Sequence, residues 1–240
     1  MPLVKALLAT AALLAIGAAQ AQSIDGADIK ADFDTNNNAS FSVQVSAPFA
    51  STAVLGLKSQ DGYTGVGVQG ATGGEIDWRS GQSESITLNF ATAKSIASFT
   101  LGLLFNGPEY NDVFEVAEIT VNGNKTYTLT TGATENVALW SDGFTSILVP
   151  YIGGAGTQSG EGGAITVSNP FGNLAVSSIM FAASSGVSGG GCGGSAGVCT
   201  NQSDYNVVNV TAVPEPETYA LMLAGLGAVA FMARRRRPLA

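Results

Sequence analysis

Carboxylates are the only side chains in this sequence that could serve as a general acid or base near neutral pH, because its 240 residues include no histidine. That composition excludes Ser-His-Asp and Cys-His catalysis and histidine-based metal sites. A glycoside hydrolase would need two carboxyl groups that face each other at a defined separation. Four acids cluster along the chain, at Glu109, Asp112, Glu115 and Glu118. In an extended strand Glu115 and Glu118 point to opposite faces, so we predict no catalytic residue and no enzymatic activity.

Asp32, Asp34 and Asn36 alternate in the way that the first ligands of a calcium-binding loop do. The EF-hand loop also needs glycine at its sixth position and glutamate at its twelfth. This chain has Asn37 and Val43 there, so the EF-hand match fails. A calcium site of another kind, built from the three side chains and neighbouring loops, is one interpretation. The other is a turn in which Asp and Asn side chains hydrogen-bond their own backbone. We predict no other cofactor.

Cys192 and Cys199 are the two cysteines, and six residues of a glycine-rich segment separate them. In an exported protein such a pair is expected to form a local disulfide, because thiols are oxidised outside the cytoplasm. A zinc site is not predicted, since no other soft ligand accompanies the pair.

Trp78 and Trp140 are the two tryptophans, and either could offer a flat ring to the apolar face of a sugar. In β-rich domains most aromatic side chains lie in the core instead. Both interpretations, ligand platform and core residue, stay open for these two side chains.

The last 28 residues combine three features that suit entry into a bilayer. A short acidic segment with two prolines, which keep the chain extended, precedes an apolar run at 219–233. A block of arginines follows, and such a block holds the end of an apolar segment on the cytoplasmic side. The residues of this acidic segment are Val213, Pro214, Glu215 and Pro216. The arginines are Arg234, Arg235, Arg236 and Arg237.

In the order and spacing of these features, the segment 213–240 resembles the PEP-CTERM sorting signal of Gram-negative bacteria. The resemblance implies recognition and processing by an exosortase in the inner membrane, and an association with exopolysaccharide and biofilm. It covers the tail only and implies nothing direct about the body of the chain. The alternative is an ordinary single-pass anchor. A helix of 15 residues would span roughly 22 Å, short of the ~30 Å hydrocarbon core, which favours a sorting signal with one short transmembrane helix.

The N-terminal residues predict a secretory signal peptide over 1–21. Lys5 supplies the positive charge, 6–18 is the apolar stretch, and Ala19-Gln20-Ala21 is an Ala-x-Ala cleavage site. Signal peptidase would therefore leave Gln22 as the first residue of the mature chain.

Removal of both ends would leave a strongly acidic body. The chain has 18 acids and 10 Lys and Arg residues, and five of those bases lie in the two terminal segments. Residues 22–217 then carry a net charge of −13. Such a body would repel nucleic acid and anionic lipid, whose recognition needs Lys and Arg. It remains compatible with divalent cations and neutral polysaccharide.

The sequence of the body, residues 22–212, predicts a single all-β domain. Short runs rich in Val, Ile, Thr and Phe alternate with Gly, Asn, Ser and Asp clusters, and we find no helical period. The clearest hairpin joins 113–121 to 125–130 through Asn122-Gly123-Asn124. About ten to twelve strands would form one β-sandwich of jelly-roll type. A β-solenoid would need a fixed repeat period, which is absent.

Together these features predict an exported, non-enzymatic surface or extracellular-matrix protein. It would be anchored transiently in the inner membrane of a Gram-negative bacterium and then released by an exosortase. The folded body would act as a structural or carbohydrate-associated module. The alternatives are a secreted carbohydrate-active enzyme that uses paired carboxylates, and a calcium-stabilised adhesin.

Overall fold

The computed structural model describes residues 21–70, 72–106, 114–134, 136–155, 161–187, 203–213, 223–230 and 232. Within these ranges the prediction of an all-β body is confirmed, since strands make up most of it. The elements in chain order are β1 (Gln22–Asp25), α1 (Gly26–Thr35), β2 (Phe41–Ser46), β3 (Leu55–Gln60), β4 (Tyr63–Gln69), β5 (Gly73–Arg79), β6 (Gln82–Ser83), β7 (Ser85–Gly102), β8 (Phe114–Val121), β9 (Lys125–Thr134), β10 (Val137–Ser141), β11 (Ser146–Ile152), β12 (Ala164–Ser168), β13 (Val176–Val187) and β14 (Asp204–Val213).

Seven of the strands form a closed ring. In the order β7, β13, β8, β9, β10, β11 and β12, each strand pairs with the next, and β12 returns to β7. All of these pairings are antiparallel. The outer strands extend from β7: β2 pairs with it directly, and β14 connects it to β1, β4 and β5. The all-β class is as predicted, but the predicted β-sandwich of jelly-roll type is not what forms, because hydrogen bonding closes seven strands into a barrel and the other strands lie outside it.

Strand β7 closes the ring because it bends in the middle. Along β7 the paired residue moves from Asn89 to Lys94, while the partner on β13 moves only from Ser178 to Val176. The extra residues of β7 form an irregularity of the kind that bends a strand. The first half of β7 lies between β2 and β13, and the second half lies between β12 and β14. One long strand thus serves two parts of the sheet.

An aromatic cluster fills the core of the barrel around Phe99 on β7. Its ring lies 5.4 Å from Trp140, 6.2 Å from Phe171 and 5.7 Å from Phe181, measured between ring centroids. Tyr127 stacks on Trp140 at 5.1 Å with the two planes nearly parallel. Aromatic contacts of this type add to the stabilisation that burial provides.

The predicted hairpin at Asn122-Gly123-Asn124 is confirmed. Strands β8 and β9 pair in register from Val121–Lys125 onwards. Asn122 has φ 53° and Gly123 has φ 70°, which is the left-handed region that Asn and Gly tolerate best. The Asn122 side chain also accepts a hydrogen bond from the backbone N–H of Ser177, at 2.8 Å, and so attaches the turn to β13.

Helix α1 is a feature that the sequence analysis missed. Asp25 is its N-cap and accepts a hydrogen bond from the Asp28 N–H at 2.9 Å, while Asp28 accepts from the Asp25 N–H at 3.2 Å. This reciprocal capping box satisfies two backbone donors at the start of the helix. Its Asp-x-x-Asp spacing was the available signal. Asn36 ends the helix in the left-handed conformation.

Near the carboxyl terminus, residues 223–230 are helical. Across the described part of the chain, no helix combines the length and the apolar character that crossing a bilayer requires. The predicted transmembrane helix over 219–233 is not supported by these residues.

Candidate functional site

Three buried carboxylates meet where β5 runs beside β14. Glu75 and Asp77 are two residues apart on β5 and therefore project from the same face. Asp204, the first residue of β14, is the cross-strand partner of Asp77. One oxygen from each of the three carboxylates lies within 4.8 Å of the other two. Their exposed fractions are 3%, 0% and 5%, so acidic groups that would repel each other are held together away from water.

Hydrogen bonds satisfy part of this cluster. The Lys58 ammonium lies 2.5 Å from Glu75 Oε1, and the Thr72 N–H donates to Asp77 Oδ2 at 2.9 Å. The Arg79 Nε is 4.0 Å from Asp77 Oδ1, too far for a direct hydrogen bond. Glu75 Oε2 and Asp77 Oδ1 are buried and have no hydrogen-bond partner within the described residues.

A fourth acid, Glu84, lies against the same strand. Its side chain is fully buried and accepts a hydrogen bond from the Asp77 N–H at 3.1 Å. Burial raises the pKa of the Glu75 carboxyl, and the nearby Asp77 raises it further, while Lys58 and Arg79 act in the opposite direction. The net direction is upward, because desolvation of the charged form is the largest effect. Within this group, four carboxylates are accompanied by two cationic side chains.

Glycine on β4 sets the position of the strand that carries these acids. A Cβ atom built at Gly67 would lie 2.3 Å from the Cα and the N atom of Glu75, and the obstacle is backbone on β5. Any side chain at this position would therefore push β5 away from β4. Gly56 is the residue paired with Gly67 on β3, and a Cβ there would meet the flexible side chain of Gln69 instead.

We expect Gly67→Ala to destabilise the protein by about 1–3 kcal/mol, as insertion of a methyl group into a packed site does. The Gly56→Ala variant is the matched control, and its effect should be distinctly smaller because the Gln69 side chain can move aside. Urea unfolding of both variants measures the difference. Equal midpoints would show that the β4–β5 contact does not position the acids.

The sequence analysis did not single out Glu75, Asp77 or Asp204. The available signal was the alternation Glu75-Ile76-Asp77, in which two acids share one face of a short β-compatible run. Strand β5 was itself missed, because charged residues and two glycines made it look like a loop. Asp204 lies more than 120 residues further on, and pairing across that distance leaves no local pattern.

The predicted calcium site at Asp32, Asp34 and Asn36 is not formed. The first two residues lie in α1, where positions two apart point in opposite directions. Asp32 is buried and accepts a hydrogen bond from the Asn38 N–H at 2.9 Å. Asp34 instead pairs with Lys30 at 2.5 Å on the exposed side of the helix. Asn36 ends the helix, and its backbone N–H donates to the Asp32 carbonyl at 2.5 Å.

The two tryptophans occupy different environments. Trp140 is 5% exposed and packs within the aromatic cluster, where Tyr127 stacks on its ring. Its core interpretation fits the structure. Trp78 on β5 is partly buried and packs against the core, while its backbone N–H donates to the Ser203 carbonyl at 3.0 Å. A ligand role for Trp78 remains a prediction.

Of the acids considered as catalytic groups, Glu109 and Asp112 lie outside the described residues. Glu115 and Glu118 both lie on β8, three residues apart, and so point to opposite faces. Glu115 is buried and its carboxylate accepts a hydrogen bond from the Phe105 N–H. Burial raises the pKa of the nearby Tyr151 hydroxyl, and the negative charge of Glu115 raises it further.

Several predicted sites fall on residues that the structure does not describe. These are Ala19, Cys192, Cys199, Pro214, Glu215, Pro216, Arg234, Arg235, Arg236 and Arg237. The predicted disulfide and the processing motif therefore stay predictions in structural terms. Ala21 immediately precedes β1, Gln22 is the first residue of that strand, and Val213 is the last residue of β14.

The first and last strands of the body pair with each other. In the β1–β14 pair, Gln22 lies opposite Ala212 and Ile24 lies opposite Val210. Ile24 and Ala212 are each 1% exposed, so these strand ends are part of the packed structure. The expected signal cleavage site and the start of the tail thus lie at the same end of one antiparallel pair.

Residues 212–237 match the PEP-CTERM protein-sorting motif. The chain therefore carries the signal of an exported protein that an exosortase sorts to the cell surface or the extracellular space. No curated protein and no solved structure matches the chain.

Proposed function

We propose that this protein is a non-enzymatic module of the cell surface or extracellular matrix, associated with exopolysaccharide and biofilm. The observation that carries the proposal is the place where the sorting motif begins. The match starts at Ala212, and β14 continues to Val213, so the folded body extends to the motif without a spacer. The folded body is therefore the cargo that sorting delivers.

The expected route has two processing steps at the two ends of the folded body. Signal peptidase cleaves before Gln22, and the tail then holds the protein transiently in the inner membrane of a Gram-negative cell. The exosortase next acts near Pro214-Glu215-Pro216. Because β1 and β14 pair side by side, both membrane-directed segments begin at one end of this outer strand pair, which suits a domain held close to a membrane surface.

A role in binding polysaccharide fits the surface better than a role in cleaving it. The three carboxylates that meet within 4.8 Å of one another are buried, so they do not line an open cleft for a sugar. A glycosidase needs its two acids in an open cleft. The β10–β11 hairpin instead exposes apolar side chains, with Phe144 97%, Leu148 62% and Ile147 54% exposed. Exposed apolar groups of this kind favour association with another surface.

Fractionation of cells with and without the exosortase tests the proposal. We expect the protein in the surface and exopolysaccharide fraction of the parent strain, and in the inner-membrane fraction of the deletion strain. A secreted protein without a sorting tail, followed in both strains, controls for a general export defect. The same distribution in both strains would contradict exosortase delivery. Surface delivery without retention in the polysaccharide fraction would contradict the proposed association.

A further inference from the structure

We propose that Glu75, Asp77 and Asp204 bind a divalent cation, calcium in the first place. This site is independent of the proposed matrix role and differs from the Asp32 segment considered above. Its three carboxylates come from two strands and lie within 4.8 Å of one another. That arrangement lets a single ion contact all three. An ion bound there would join β5 to β14, the strand that leads into the sorting tail.

Unpartnered oxygen atoms inside the cluster are the second observation. Glu75 Oε2 and Asp77 Oδ1 are buried, and neither accepts a hydrogen bond within the described residues. The other oxygen of each carboxylate is already engaged, by Lys58 and by the Thr72 N–H respectively. A buried carboxylate oxygen without a donor is costly, and a cation supplies what a donor would.

The charge balance also favours a doubly charged ion. With Glu84 included, four buried carboxylates stand against Lys58 and Arg79, which leaves two negative charges when all groups are ionised. One divalent cation neutralises them.

The donor set identifies the class of ion. All of the cluster's candidate ligands are carboxylate oxygens, which hard cations such as calcium and magnesium prefer over zinc or copper. Calcium accepts six to eight oxygens in irregular geometry and takes carboxylates in bidentate fashion. Magnesium demands a near-octahedral shell and usually retains several waters, for which a buried cluster leaves little room. The side chains of Lys58 and Arg79, which lie beside the cluster, are 36% and 39% exposed.

Calorimetric titration of the purified full chain with CaCl2 after chelator treatment, followed by thermal unfolding, tests the site. We expect a dissociation constant on the order of 10⁻⁴–10⁻³ M or tighter, as for extracellular calcium modules. At ten times that concentration Tm should rise by roughly 3–6 °C, since an ion that binds only the folded state stabilises it. MgCl2 at the same ionic strength should produce a smaller shift. Absence of binding heat together with equal Tm values in calcium and in chelator would overturn the proposal.

The Asp204→Asn variant tests whether these residues are the ones that bind the ion. It should lose the calcium-dependent shift, and without calcium it should melt at or above the wild-type Tm, because it removes repulsion with Asp77. Asp61→Asn, an exposed change of equal charge in the β3–β4 turn, should retain the full shift. Glu75→Gln serves the same purpose if Asp204→Asn does not fold. Wild-type calcium affinity in a folded cluster variant would overturn the assignment to these residues.

Discussion

Phe99→Ala is expected to lower the free energy of unfolding by about 3–5 kcal/mol, the usual range for removal of a buried phenylalanine ring. Phe99 is 0% exposed and lies on the second half of β7. That half of β7 pairs with both β12, which closes the ring, and β14, which carries the outer strands. Its ring contacts Trp140, Phe171 and Phe181, so truncation removes three aromatic contacts and leaves a cavity.

Urea unfolding followed by tryptophan fluorescence measures this effect. The midpoint should fall while the slope stays similar, because the surface exposed on unfolding is nearly unchanged. Phe144→Ala is the matched control: it removes the same ring at a position that is 97% exposed, and stability should change by about 0.5 kcal/mol or less. Similar losses in the two variants would mean that Phe99 is not at the centre of the core.

Replacement of Pro214, Glu215 and Pro216 by alanine is expected to abolish delivery to the surface. These residues lie within the matched sorting segment and follow the last residue of β14 directly. Alanine would remove the fixed extended backbone and the acidic group while leaving the barrel sequence intact. The protein should still be exported, and it should accumulate in the inner membrane with its arginine block attached.

Immunodetection on intact cells, compared with detection after lysis, measures the surface fraction. Pro238→Ala is the matched control, since it changes a proline just beyond the matched segment and should leave delivery unchanged. If the triple variant reaches the surface as efficiently as this control, the Pro-Glu-Pro step is not what the sorting machinery recognises.

The sequence predicted the strands whose pattern is local. Strand β2 alternates between buried and exposed positions, and Ile86, Leu88 and Phe90 of β7 do the same. The β8–β9 hairpin followed from its Asn-Gly turn. In each of these cases a few neighbouring residues determine the conformation, and periodicity or turn chemistry makes that visible.

Closure of the barrel could not be predicted in the same way. The β7–β12 pairing that completes the ring joins Leu101 to Ile165. The bend in β7 that makes this possible lies in residues 90–94, where nothing in the local sequence marks a break. Sheet closure depends on contacts between distant segments, and a single sequence does not show which segments pair with each other.

The candidate cation site was missed for a related reason. Glu75 and Asp77 lie on a short strand whose charges argue against burial, and their third partner comes from β14. Asp32 and Asp34 have the spacing of calcium ligands in a loop, but helix α1 directs their side chains away from each other. Ligands that come from different strands leave no regular spacing in the sequence. The sorting tail lies at the other extreme, because its features are contiguous and were recognised directly.

The central claim is that the folded body from Gln22 to Val213 is exported and that both terminal segments are removed from it. Intact-mass measurement of the surface-located protein, with sequencing of its terminal peptides, tests this most directly. We predict an amino terminus at Gln22 and a carboxyl terminus before the arginine block. Recovery of the full 240-residue chain from the cytosol, with no shortened form at the surface, would contradict the account.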